Sequence, residues 1–132
     1  MKFIPEKVDE TALKSATKKM ALEVIKLVEA LPRSKTSDVL GKQLLRSATS
    51  VAANYRAACR ARSDSEMLAK MGVVEEEADE CCLWIELLVE SQTCQNEMTT
   101  VLHSEFDRMT AISVASKKTL RNKIGRSGNT PR

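Results

Sequence analysis

Six consecutive residues, EEEADE at 75–80, put five carboxylates together in a chain that holds one histidine, His103. Metal chemistry is the first thing such a run suggests. Dinuclear carboxylate bundles set Glu-x-x-His pairs inward, so that carboxylate and imidazole share a helix face one turn apart. Residue 100, three before His103, is Thr, and the acidic run points mainly outward as a solvated or interface face. His103 lies off the Leu102/Phe106 stripe, with no Ser or Cys placed beside it as a nucleophile. The four glycines form no phosphate-cradling loop. Cys59, Cys81, Cys82 and Cys94 show no C-x-x-C spacing. Adjacent Cys81 and Cys82 are not expected to face a single core seam together, so free thiols in a reducing compartment are predicted rather than zinc or disulfides. The residues therefore predict no enzyme, no metal and no cofactor.

What remains is charge. The formal net charge is only +3, but residues 33–62 carry seven basic and one acidic group, 63–107 carry one and twelve, and 108–132 carry seven and none. On a helical wheel Lys42, Arg46, Thr49, Ala53, Arg56 and Arg60 share a face opposite the stripe Leu44/Ala48/Val51/Tyr55. Together with Lys117, Lys118 and Arg121 in the basic stretch KKTLRNKIGR, that face is suited to neutralising the phosphates of RNA or DNA. Aromatic residues make up 3% of the chain, and Trp84 and Phe106 are needed for packing. Contact through the nucleic-acid backbone is thus expected rather than base stacking. The competing reading is a structural or protein-interaction ring in which the arginines meet carboxylates of a neighbouring subunit.

These side chains must be carried by helices, because Gly and Pro are scarce and apolar residues recur at steps of three and four. Four stripes follow: Leu13, Ala16, Met20, Val24, Leu27, Leu31; Leu40, Leu44, Ala48, Val51, Tyr55, Ala58; Met67, Met71, Val74, Ala78, Cys81, Ile85, Leu88; and Met98, Leu102, Phe106, Met109, Ile112, Ser116, Leu120. Helices are predicted at about 9–31, 38–61, 64–91 and 96–122. Pro32 ends the first, Ser37 or Asp38 caps the second, and SDSE at 63–66 opens the third as a capping box. Short connectors make neighbours antiparallel, so residues 1–124 read as an all-α, up-down-up-down four-helix bundle. Residues 125–132 read as a disordered basic tail. The segment MKFIPEKVDE has no apolar signal core and no stretch approaches the ~18 apolar residues of a membrane span, so a cytoplasmic protein without membrane contact is expected.

The third helix has a second apolar face. Glu80, Leu83, Trp84 and Leu87 lie away from its Met71/Ala78/Ile85 seam, which would leave the indole and two leucines in water in a lone bundle. Such a patch marks an interface, and a ring-like homo-oligomer is its simplest outcome.

Three segments, LGKQLLRSATSVAANYRAACRARS, EADECCLWIELLVES and HSEFDRMTAISVASKKTL, resemble the four-helix bundle family of 23S rRNA intervening-sequence proteins over about residues 12–122. The resemblance implies a small bacterial bundle, often a homopentamer, without known catalytic residues. It also implies kinship with the accessory variability proteins of retroelements, basic rings that partner a reverse transcriptase and nucleic acid. Where many relatives have Ile-Ala-Glu-Gly, this chain has Tyr55-Arg56-Ala57-Ala58, which adds positive charge.

Overall fold

The computed structural model describes residues 1–127. Each helix starts where a polar side chain takes up an N–H group that the first turn leaves unpaired. α1 (Glu10–Glu29) opens at Asp9, whose carboxylate accepts the Ala12 N–H at 2.8 Å. α2 (Lys35–Cys59) opens at Ser34, which accepts the Ser37 N–H at 3.0 Å. The helix therefore begins three residues before the predicted start, since an earlier serine serves as its cap. α3 (Asp64–Glu90) opens at the predicted Ser63, which accepts the Glu66 N–H at 3.1 Å. At the head of α4 (Glu97–Ser127), Asn96 and Thr99 exchange side-chain-to-backbone bonds of 2.9 and 3.1 Å.

α4 continues through Gly125 to Ser127, so the first three residues of the predicted tail are helical. The rest of that tail, 128–132, lies outside the described residues. α3 ends differently. The Gln92 N–H returns to Val89 O and the Thr93 N–H to Leu88 O, both at 3.0 Å, while Gln92 adopts φ 61°. This is a Schellman ending with glutamine where glycine is usual.

Consecutive helices pack antiparallel, α1 on α2, α2 on α3 and α3 on α4, while α1 and α4 meet sparsely. The result is the expected all-helical four-helix bundle, with no strand among the described residues. The predicted stripes supply the core, including Met20, Val24, Leu44, Val51, Met71, Ile85, Leu102, Phe106 and Met109. At Gly41 a Cβ would lie 3.2 Å from both Leu31 Cδ1 and Val28 Cγ1, so glycine sets how closely α2 approaches α1. Cys81 and Cys82 are both buried, but they do not share one seam: the Cys82 thiol donates to His103 O on α4, while Cys81 lies toward the α2 side. α3 sits between α2 and α4 and buries two adjacent arcs, wide enough for neighbouring residues to point inward.

The chain before α1 doubles back onto α4. Ile4 is completely buried and Phe3 packs against the core. The N–H groups of Phe3 and Ile4 donate to the buried Glu105 carboxylate at 3.0 and 3.2 Å. Arg108 donates to the carbonyls of Ile4 and Pro5 at 2.6 and 2.7 Å. A carboxylate and a guanidinium of α4 thus satisfy four polar groups of one strap, which carries an apolar anchor into the core.

Ile4→Ala is expected to lower unfolding free energy toward the lower end of roughly 2–5 kcal/mol, because the strap can let go and limit the cavity. Gln92→Gly is expected to raise it by roughly 0.5–1 kcal/mol by relieving the left-handed backbone. Urea unfolding with matched slopes checks both.

Candidate nucleic-acid interface and subunit face

The predicted basic face separates into residues that the fold uses internally and residues it leaves free. Arg46 belongs to the first group. Its guanidinium spans the α2/α3 seam, donating to Glu77 Oε2 at 2.8 Å, Glu80 Oε1 at 2.9 Å and Ser47 Oγ at 3.1 Å. Two carboxylates of its own chain answer this arginine. Ser47 Oγ also accepts the Trp84 indole N–H at 3.2 Å. Lys117 is likewise engaged, with Glu75 on α3 at 3.0 Å.

Two carboxyls around Arg46 are pushed apart by this arrangement. Burial alone would raise Glu77, but bonds with Ser50, Glu80 and Arg46 outweigh it and hold the carboxyl below its ordinary range. Glu80 is raised, by burial and by the nearby Glu77. Deprotonated Glu77 therefore accepts bonds from its surroundings while Glu80 retains its proton more readily.

Lys42, Arg56, Arg60, Lys118 and Arg121 are exposed and make no ion pair among the described residues. Antiparallel packing brings the C-terminal turns of α2 and α4 to one end of the bundle, gathering Arg60 with Lys118 and Arg121 there. Sequence reasoning missed two more cations, Lys14 and Lys18. With Arg56 they line an open groove of about 400 Å³ between α1 and α2, over Thr49, Ala52 and Ala53. Their spacing of four along α1, outside its core stripe, was the available signal, but the nearly balanced charge of that segment masked it.

On α3, Leu83 and Leu87 remain 45% and 40% exposed. Trp84 is different from expectation: it is half-buried against the core and held by Ser47. Glu80 is half-buried and turned toward Arg46. The subunit face proposed from sequence is thus reduced in a lone chain to the two leucines and Val73, with the indole at their margin. On the diagonal helix α1, Leu22 and Ile25 are also exposed.

His103 and two of the four thiols are engaged by their surroundings. His103 pairs with Glu86 at 2.7 Å beside a pocket of about 230 Å³. The buried Thr99 hydroxyl in that pocket donates to Asn96 O. Burial, with Asp107 adding to it, pushes the Cys82 thiol up to about 12, and burial raises Cys81 as well, so neither is a thiolate nucleophile at neutral pH. No cluster of three or more His, Cys, Asp or Glu suited to a metal occurs among the described residues, and no helix there is long and apolar enough to cross a membrane.

Comparison with known families matches residues 10–115 to one described as 23S rRNA-intervening sequence protein. No curated protein matches the chain. Among solved structures, a protein of unknown function from the S23 ribosomal protein family of Bacteroides thetaiotaomicron is similar, with a TM-score of 0.75 and 26% identity. That likeness covers 83% of this chain and 97% of the other.

Because Glu77 is held below the ordinary carboxyl range, its stabilising effect is present above the unfolded-state pKa and is lost as pH falls through the lower folded value. Arg46→Ala is expected to destabilise the bundle at neutral pH and to flatten the fall in stability on acidification. Thermal unfolding followed across that pH range by Trp84 fluorescence tests this, and an unchanged acid limb would count against the ion pair as its source.

Proposed function

The chain belongs to the 23S rRNA-intervening sequence protein family, and we propose that it is a non-catalytic homo-oligomer, a pentamer being favoured, whose basic surface contacts RNA or DNA through phosphates. The observation that carries this reading is that, of the seven predicted cations, Lys42, Arg56, Arg60, Lys118 and Arg121 stay exposed and without a carboxylate among the described residues, while Arg46 and Lys117 are engaged. A polyanion gains most from such residues, since releasing condensed counterions supplies the binding free energy without any need to read bases.

Assembly rests on a separate feature. α1 and α3 are diagonal in the bundle, so the Leu22/Ile25 patch and the Val73/Leu83/Leu87 patch face opposite sides. Contact between unlike faces is heterologous, and it closes into a ring when the rotation per subunit divides a full turn. A ring also repeats the unpaired cations around its axis, which raises avidity for a long anion.

The second reading, a structural or protein-interaction ring without nucleic acid, has support in the exposed Asp79 and Glu90 of α3. Those carboxylates would answer Arg56 and Arg60 of a neighbouring copy.

Titration with RNA and DNA over a salt series separates the two. Affinity for both polymers should fall steeply with salt, and Arg60→Ala/Lys118→Ala/Arg121→Ala should flatten that dependence while leaving the assembly intact. Loss of the assembly with no salt-sensitive binding by the parent protein would favour the interaction ring. Leu83→Glu/Leu87→Glu is expected to reduce the mass measured by light scattering and to shift Trp84 emission to the red; an unchanged mass would remove this face from the interface.

A further inference from the structure

We infer that the groove between α1 and α2 seats the backbone of a single-stranded nucleic acid, with Lys14, Lys18 and Arg56 neutralising its phosphates; this deepens, and rests on, the nucleic-acid reading above. The groove has cations on both walls, Lys14 and Lys18 from α1 and Arg56 from α2. Among the described residues no carboxylate lines it and none of the three cations makes an ion pair.

The arrangement suits a polymer better than an isolated ion. Lys14 and Lys18 are one turn apart on one helix edge, separated by about 6 Å along the axis at 1.5 Å per residue. Positive charge therefore follows the length of the groove instead of converging on a point. The floor is made by the methyl groups of Ala52 and Ala53, and the Thr49 hydroxyl there donates back to Leu45 O at 2.8 Å. A low, apolar floor between charged walls admits a slender chain, whereas a duplex presents its phosphates on a broad convex surface that meets only the rim. No aromatic residue lines the groove, so bases are not stacked there and the strand is held without regard to sequence. In this respect the small side chain of Ala53, on the face shared with Arg56, acts as the clearance for the ligand.

The test uses the full chain and fluorescently labelled oligo(U), oligo(dT) and a duplex of equal length, titrated by anisotropy across a salt series. Lys14→Ala/Lys18→Ala should flatten the dependence of log affinity on log salt by about 1.4, at roughly 0.7 for each single-strand phosphate that is no longer neutralised. Ala53→Leu keeps the charge and the helix propensity and should weaken single-strand binding by filling the floor. Either effect absent, with helix content unchanged, overturns the groove as the seat. So does duplex binding as tight as single-strand binding, or competition by poly-glutamate equal to that of an unlabelled strand of matched charge. Absence of binding by the parent protein to every polynucleotide removes the nucleic-acid reading itself. Binding that survives in Lys14→Ala/Lys18→Ala with unaltered slope but fails in Arg60→Ala/Lys118→Ala/Arg121→Ala leaves that reading standing and rejects only the groove.

Discussion

Because α3 is packed by α2 on one side and by α4 on the other, acidic residues at the edges of its two seams are drawn into contact with cations of the same chain. Glu77 and Glu80 meet Arg46 across one seam. Glu75 meets Lys117 across the other, and Asp64 lies 3.6 Å from Lys123. A carboxylate moved into the shelter of a helix seam loses hydration, and a nearby guanidinium or ammonium offsets that loss. The position of α3 therefore determines which basic residues the protein engages in folding and which it leaves available.

That partition leaves unpaired cations grouped on parts of the surface although the net charge is only +3. Asp64, Glu75, Glu77 and Glu80 of α3 are taken up by internal ties, while the C-terminal turns of α2 and α4 gather Arg56, Arg60, Lys118 and Arg121. Exposed ion pairs contribute little individually, but the Arg46 cluster is tied to the buried Ser47 and to the indole of Trp84. It also fixes the rotation of α2 against α3, and with it the direction in which Arg56 and Arg60 point.

The bundle was legible because apolar residues that recur on one helix face need no knowledge of their partners: Met71, Val74, Ala78, Cys81, Ile85 and Leu88 mark α3 wherever its neighbours lie. The cap at Ser63 could be read for the same local reason. Ser34 and Ser37 are chemically alike, so nothing local decides which one starts α2. The Arg46–Glu77 contact joins residues 31 apart, and finding it requires the relative rotation of two helices. Lys14 and Lys18 become a site only when α2 supplies the opposite wall. Phe3 and Ile4 belong to no periodic run, and their place in the core depends on Glu105 and Arg108 far along the chain.

The strap has a kinetic consequence. All three extensive helix contacts join sequence neighbours, so each can form through a short connector, whereas Ile4 reaches Glu105 across 101 residues. Closing so long a loop costs more entropy than joining adjacent helices. During synthesis Ile4 emerges before its receptor on α4 exists, so its side chain stays uncovered until the last helix arrives.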